Sequence, residues 1–542
     1  MLRFSKDINI KYINMKRRNF FKTMGVTAFS MNVGNELLAT EVLSEKGFIS
    51  DNNRDKYSNN PGEALQKTTV RTYNYPLEVK PSQRYTVKAN KLSVLVMDTP
   101  VPAAFAAFET DGPVDIEIEC TIDVKWVDVR PLKAGVKSKI VAGKIVFTIP
   151  APGNYSVEVN GNLGYPLFIF ANPKEEKPAQ SDSNVIFFEA GKIHKPGVIR
   201  PKSNQHVFIE GGAIVIGAIS AIEVENVKVS GYGILDGSYN NPQRISDGLV
   251  KPWLPEHGYT ITDRSSWFVA FRDSRNITIE GLMLINGTQW QVVPVNCDNV
   301  TIKGLKIVAD NPNDDGIDVV RSRKVRISGC FIRSKDDNVV IKSLQNYPDS
   351  VIVDDVLVEK CVFWNASWGN ALEIGYELIG DVKNVIFRDC DIIHVESGAV
   401  LSIHNSDKAT VKNVLFENIR VEDAQQKLFD LAIFRTVYST DGRRDTTSSS
   451  VSIPSVWGTN ALLVIPPEKR NYHAQFRGKI EDIHFKDISV EGKFPISIIV
   501  GFGESHKVRN VKFNNIIVNG KKIQSLEALK LYTEHAENIT IK

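Results

Sequence analysis

The chain reads as all-β, an N-terminal β-sandwich followed by a parallel β-helix, and three features of its 542 residues carry that reading. One short phrase recurs ten times beyond residue 220. Each copy alternates apolar and polar residues over the length of a strand. Between copies no stretch shows a 3.6-residue periodicity of helix length, which disfavours leucine-rich and other helix-containing solenoids.

Residues 1–60 stand apart from the folded part. Lys16-Arg17-Arg18-Asn19-Phe20-Phe21-Lys22 is followed by the weakly apolar TMGVTAFSMNVG and then LLAT, a small-residue region suited to cleavage. Two arginines, a spacer and two aromatics resemble a twin-arginine export signal, which predicts an exported protein, periplasmic or extracellular. A disordered basic tail is the alternative, and Met15 directly before the motif makes residues 1–14 an upstream extension.

The remaining composition is that of an ordinary globular protein, with 66 basic against 63 acidic side chains. That near-balance offers no basic surplus for nucleic acid. No run approaches the roughly 18 apolar residues of a membrane span.

Residues 65–172 contain short strand-like runs such as VDIEIECTIDVKWVDV, GKIVFTIPAPG and NYSVEVNG, broken by Pro and Gly, as in a small sandwich. Residues 173–183, PKEEKPAQSDS, are polar, proline-bearing and aperiodic, and read as a linker. Residues 184–542 hold the repeat: ENVKVSG, RNITIEG, DNVTIKG, RKVRISG, DDVLVEK, KNVIFRD, KNVLFEN, EDIHFKD, RNVKFNN and ENITIK. Counted from the second residue of each phrase, the spacings are 50, 23, 25, 31, 29, 29, 69, 28 and 28. Most equal one solenoid coil, and the two long gaps are insertions or coils with degenerate phrases.

Cys330, Cys361 and Cys390 each lie six residues after their marker, where other coils carry Leu282, Leu305 or Ile419. They are expected as a buried thiol ladder, with a disulfide between neighbouring rungs as the alternative.

Two acidic pairs, Asp314-Asp315 and Asp336-Asp337, flank one strand-like run. Asp315 and Asp336 are 21 residues apart, close to one coil, so both can occupy one face on adjacent rungs. Carboxylates crowded in a partly dry site hold a proton between them, which supplies the acid and base that glycosidic hydrolysis needs. Carboxylates near turns also cap backbone amides or bind Ca²⁺, so these uses stay open at this point.

Asn313-Asp314-Asp315-Gly316-Ile317-Asp318 and then Lys335-Asp336-Asp337-Asn338 resemble the polygalacturonases, glycoside hydrolase family 28, whose motifs are Asn-Thr-Asp-Gly and Asp-Asp about one coil later. A β-sandwich leading into a right-handed parallel β-helix also resembles the dextranase and isopullulanase family, family 49, within the pectin-lyase-like superfamily. The resemblance implies an inverting glycoside hydrolase of a polysaccharide or oligosaccharide that needs no metal or other cofactor. It implies Asp336 as general acid, with Asp315 and Asp337 holding and deprotonating the attacking water. Asp314 stands where those enzymes have Thr, and Asn313 would orient its neighbours.

The family's Gly-His-Gly falls at Gly369-Asn370-Ala371, so asparagine replaces histidine, and its Arg-Ile-Lys falls near Ser402-Ile403-His404, so both strong cations are gone. The loss of a bidentate arginine points to a neutral or differently charged glycan in place of polygalacturonate. Substrate contacts are expected from Asn313, Asp314, Lys342, Trp364, Trp368, Asn370, Glu373 and His404. Trp253, Trp267 and Trp457, in or beside the long gaps, would wall the cleft, and residues 421–475 form an insertion closing one end of it.

Two other classes remain: a calcium-dependent polysaccharide lyase with Lys342 as base, and a non-catalytic carbohydrate-binding solenoid.

Overall fold

The recurring phrase has a backbone cause. Its second residue is Asn226, Asn276, Asn299, Lys324, Asp355, Asn384, Asn413, Asp482, Asn510 or Asn538, and every one has a positive φ between 52° and 60°. Asn and Asp tolerate that left-handed turn better than other side chains with a Cβ. Their amides then stack: Asn276 Nδ2 donates to Asn226 Oδ1 at 2.9 Å and Asn299 Nδ2 to Asn276 Oδ1 at 2.8 Å.

A computed structural model of the protein describes residues 68–240, 267–287, 289–311, 313–344, 347–436, 438–442 and 469–542. Arg17, Arg18, Trp253 and Trp457 lie outside them. Among the described residues no helix is long and apolar enough to cross a membrane.

Two mostly antiparallel sheets of six and five strands occupy Val70–Asn172 and share one apolar core, which includes Val87, Phe108, Ile116, Val157 and Ile169. From Val185 to Ile541 the described residues wind through thirty strands, and all but the short Lys521–Lys522, which pairs antiparallel, run parallel to a counterpart one coil away. This is a parallel β-helix with three strand-bearing faces. All ten phrases fall on one face, and the apolar positions of each, such as Val325 and Ile327, enter a single continuous core. Both long gaps are insertions within single coils, since Arg275 pairs directly with Glu225 and Ile483 with Val414.

Cys330, Cys361 and Cys390 are buried and free, and the Cys330 N–H approaches Cys361 Sγ at 3.4 Å. Leu282, Leu305 and Ile419 fill the same buried position in other coils.

A second face is covered by the sandwich, and both belong to one compact unit, Gln66–Lys542. Phe168 packs on Phe331 at 4.8 Å and meets Trp364 edge-on at 6.0 Å. Arg130 bridges Glu158 and Glu422, and Glu158 lies 2.9 Å from His394. Segment 173–183 is pinned too, because the buried Glu175 accepts the N–H groups of Gly211 at 3.0 Å and Tyr232 at 2.7 Å.

Candidate active site

The third face carries the acidic residues. Five of its strands are labelled here β1 (Ile317–Val320), β2 (Val339–Ser343), β3 (Leu372–Leu378), β4 (Ala399–Asn405) and β5 (Lys427–Ile433). Strand alternation sends Ile317, Val319, Val339, Ile341, Leu372, Ile374, Leu401, Ile403, Phe429 and Leu431 into the helix core. The residues between them therefore face outward. Asp318 registers with Val340, Val340 with Glu373, Glu373 with Ser402 and Ser402 with Asp430, forming one row across five coils. The next outward row holds Lys342 and His404.

Asp315 and Asp336-Asp337 precede β1 and β2 at the edge of this face. The Gly316 N–H donates to the Asp337 carbonyl at 2.8 Å, so Asp315 and Asp337 come from consecutive rungs in register. Gly316 is required by this contact, because a Cβ there would stand 2.4 Å from the Asn338 carbonyl oxygen. The Asp336-Asp337 turn is fastened from beneath. Ser334 Oγ donates to the Asp336 and Asp337 carbonyls at 3.0 and 3.1 Å, and Asn365 Nδ2 to the Asp336 carbonyl at 2.8 Å. Asn338 Nδ2 closes the bracket on Ser334 Oγ at 2.6 Å.

Asp315 and Asp337 are buried and Asp336 is half-buried. Burial, and then the neighbouring carboxylates, push the Asp315 carboxyl well above its ordinary range and Asp337 up to about 8. Asp336 is raised mainly by burial, against the pull of Lys342 and the Asp337 N–H. Together the three hold a proton at neutral pH.

Asn370 sits where the family motif has histidine, and its contacts are with Asp337. Its N–H and Nδ2 donate to Asp337 Oδ1 at 2.7 and 3.2 Å, while its Oδ1 accepts the Ala399 N–H at 2.8 Å. Gly369, with φ +65°, leaves room for the pair: a Cβ there would lie 2.4 Å from the Asp337 nitrogen and 2.5 Å from Asp336 Oδ1.

Lys342 is buried over the Trp290 ring, 4.0 Å from Asp315 and 3.5 Å from Glu377. Burial pulls its pKa down, but Glu377, Asp315 and Asp337 outweigh that and raise it, so the ammonium stays charged. His404 lies between Glu373 at 3.0 Å and Asp430 at 3.1 Å. Burial alone would make the imidazole neutral; the two carboxylates push it up to about 10. Glu373 also accepts from Ser402, and Lys427 donates to Asp430.

Several expectations change in the structure. Trp364 has no exposed surface and donates Nε1–H to Glu396 at 3.0 Å beneath the sandwich, so it cannot stack on a sugar. The four-residue step from it to Trp368 in sequence turns a corner of the coil, so the two rings lie on different faces. Trp368 is 49% exposed beside Lys335, close to Asp336. Trp267 is buried against Trp290 at 5.2 Å and walls no cleft.

Asp314 is fully buried, accepting from Gln291 and from the Asn311 N–H at 2.7 Å, which makes it a turn-holding group instead of a substrate contact. Asn313 is exposed at that turn with φ +57°. Residues 421–475 are not wholly an insertion, since β5 is a regular rung; it lacks the phrase because the phrase belongs to another face. Asp318, Glu377, Lys427, Asp430, Tyr376 and Tyr438 join the site without having been singled out. Only the outward parity of Asp318 and Asp430 was visible as a sequence signal.

Residues 204–460 match the family model for Glycosyl hydrolases family 28. A probable polygalacturonase of Vitis vinifera is 29% identical over 152 residues, covering 27% of this chain and 30% of its own length. A probable polygalacturonase of Arabidopsis thaliana is 26% identical over 275 residues, covering 49% of this chain and 55% of its own. The match thus spans less than two thirds of either relative. In fold the chain is similar to Dex49A from Penicillium minioluteum, with a TM-score of 0.53 at 14% identity over 87% of this chain and 96% of that one. Over residues 204–460 the chain is therefore similar to the family 28 glycosyl hydrolases, and that stretch is carried on a parallel β-helix.

Proposed function

We propose that the chain is an inverting glycoside hydrolase acting on a polysaccharide or oligosaccharide. The observation that carries this reading is the trio Asp315, Asp336 and Asp337 on adjacent rungs, each pushed upward by burial, and Asp315 and Asp337 also by neighbouring carboxylates. A cluster that keeps one proton at neutral pH provides an acid and a base together.

Asp336, the least buried of the three, is the acid that protonates the departing glycosidic oxygen. Asp315 and Asp337 hold the attacking water and take its proton. Lys342 beside Asp315 and the Asn370 N–H on Asp337 favour the ionised forms that the base role needs. The water then displaces the leaving group in one step, and the anomeric centre inverts.

A lyase would need Lys342 neutral to abstract a proton, and Glu377 and Asp315 hold it charged. The twin-arginine-like Arg17-Arg18 segment belongs to the same reading, as the export signal of a secreted hydrolase.

The test is Asp336→Asn on a glycan that the native protein cleaves. Turnover is expected to fall by at least ~10³-fold while glycan binding stays, as for loss of an essential acid. Proton NMR of the first product should show the inverted anomer. Unchanged turnover removes Asp336 from the chemistry, and a retained anomer requires a covalent intermediate instead.

A further inference from the structure

The three buried cations of the site face, Lys342, His404 and Lys427, are already paired with its own carboxylates. Lys342 lies against Asp315 and Glu377 and donates to the Gly375 carbonyl at 3.3 Å. His404 lies between Glu373 and Asp430, and Lys427 donates to Asp430. Lys335, nearer the surface, donates to the Asp310 carbonyl at 3.4 Å and covers the Trp368 ring at 5.0 Å. Resting on the reading of this face as a glycan cleft, we infer that it takes an uncharged glycan, and that Glu373 and Asp430 are the specificity-determining residues that exclude uronates.

A sugar carboxylate is best held by a cation presenting two donors to it. His404 and Lys427 could do so only by leaving Glu373 and Asp430, and a carboxylate deprived of its partner in a fully buried position is strongly destabilising. Glu373 and Asp430 are 1% and 0% exposed, so water cannot replace the lost partner.

Aromatic rings are exposed nearby. Trp368 is 49% exposed, and Tyr376 stacks on the 41% exposed Tyr438 with ring centroids 6.1 Å apart. Such rings suit the apolar faces of neutral pyranoses.

The experiment runs the purified full chain in native gels containing dextran, galactan, arabinan or polygalacturonate, with reducing-end release measured on the same glycans. Retardation by at least one uncharged glycan and none by polygalacturonate is expected. Retardation by polygalacturonate, its cleavage, or no retardation by any uncharged glycan overturns the inference. Retardation by an uncharged glycan without new reducing ends sinks the hydrolase reading and leaves this inference standing.

Glu373→Gln and Asp430→Asn each release a partner of His404 and add one positive charge. Each should bring at least a tenfold gain in polygalacturonate binding. Should Asp430→Asn fail to fold, Glu373→Gln decides, and a folded Glu373→Gln protein with no gain refutes the specificity role.

Discussion

Asn370→Ala separates what a side chain does for a fold from what it does for a proton. The Asn370 Nδ2 bond to Asp337 Oδ1, at 3.2 Å, is a weak bond to a carboxylate, worth about 1.5 kcal/mol. The Asn370 Oδ1 also satisfies the Ala399 N–H at 2.8 Å in a fully buried position. Leaving that donor unmet costs about 1–3 kcal/mol, so the variant should lose roughly 3 kcal/mol of stability. The Asn370 N–H at 2.7 Å remains, so Asp337 keeps its main donor. With about 1.4 kcal/mol per pKa unit, losing the side-chain bond moves Asp337 up by roughly one unit from its raised position near 8. Asp337 acts ionised, so kcat/KM should rise with pH, and the rising limb should sit roughly one pH unit higher in the variant. Urea unfolding gives the first quantity and the pH profile the second. A variant whose profile and urea midpoint both superimpose on the native ones would refute the assigned bonds. A destabilised variant with an unmoved profile would remove Asp337 from the base role.

Other perturbations read other parts of the site. Asp337 is pushed up to about 8 from an unfolded value near ~4. The stability linked to its proton is complete below ~4 and is lost as pH rises through about 8. Asp337→Asn should therefore flatten the fall in urea stability between pH 5 and pH 9; an identical fall would assign it to other groups. His404 is raised to about 10, so its contribution is complete below ~6.5 and lost as pH rises through about 10. At neutral pH His404→Gln should cost about 3–5 kcal/mol by removing the charge that Glu373 and Asp430 share, which leaves Glu373 with Ser402 and Asp430 with Lys427, and the gap to the native protein should close above pH 10. Trp364→Ala should cost about 3–5 kcal/mol in thermal or urea unfolding with glycan affinity unchanged. Trp368→Ala should leave stability within about 0.5 kcal/mol and weaken glycan binding. The opposite pattern for these two tryptophans would mean that their faces are exchanged.

Ten phrases spaced by about a coil were enough to name a parallel β-helix, because a solenoid writes its geometry into the chain as a repeat. The αL turn favours Asn or Asp at one position per coil, with Lys324 the one departure among the ten phrases, and the core takes Val, Ile or Phe two strand positions apart. The Asp315 to Asp337 group was legible for the same reason, since a coil-length separation means adjacent rungs. Trp364 was misread because an outward residue can face solvent or a packed domain. Nothing local to FWNASW says that the sandwich lies on that side.

Sequence by itself determined the coil, the in-and-out parity of each strand and the three carboxylates that share an edge. Those properties depend on neighbours along the chain and on a periodic repeat. Tertiary structure alone decided which face the sandwich covers, and that Asn370 grips Asp337. It also decided that Lys342 and His404 are each matched to a carboxylate from another rung. Charge pairing is set by approach in space between rungs, and residues such as His404 and Asp430 carry no mark of their partner in the chain.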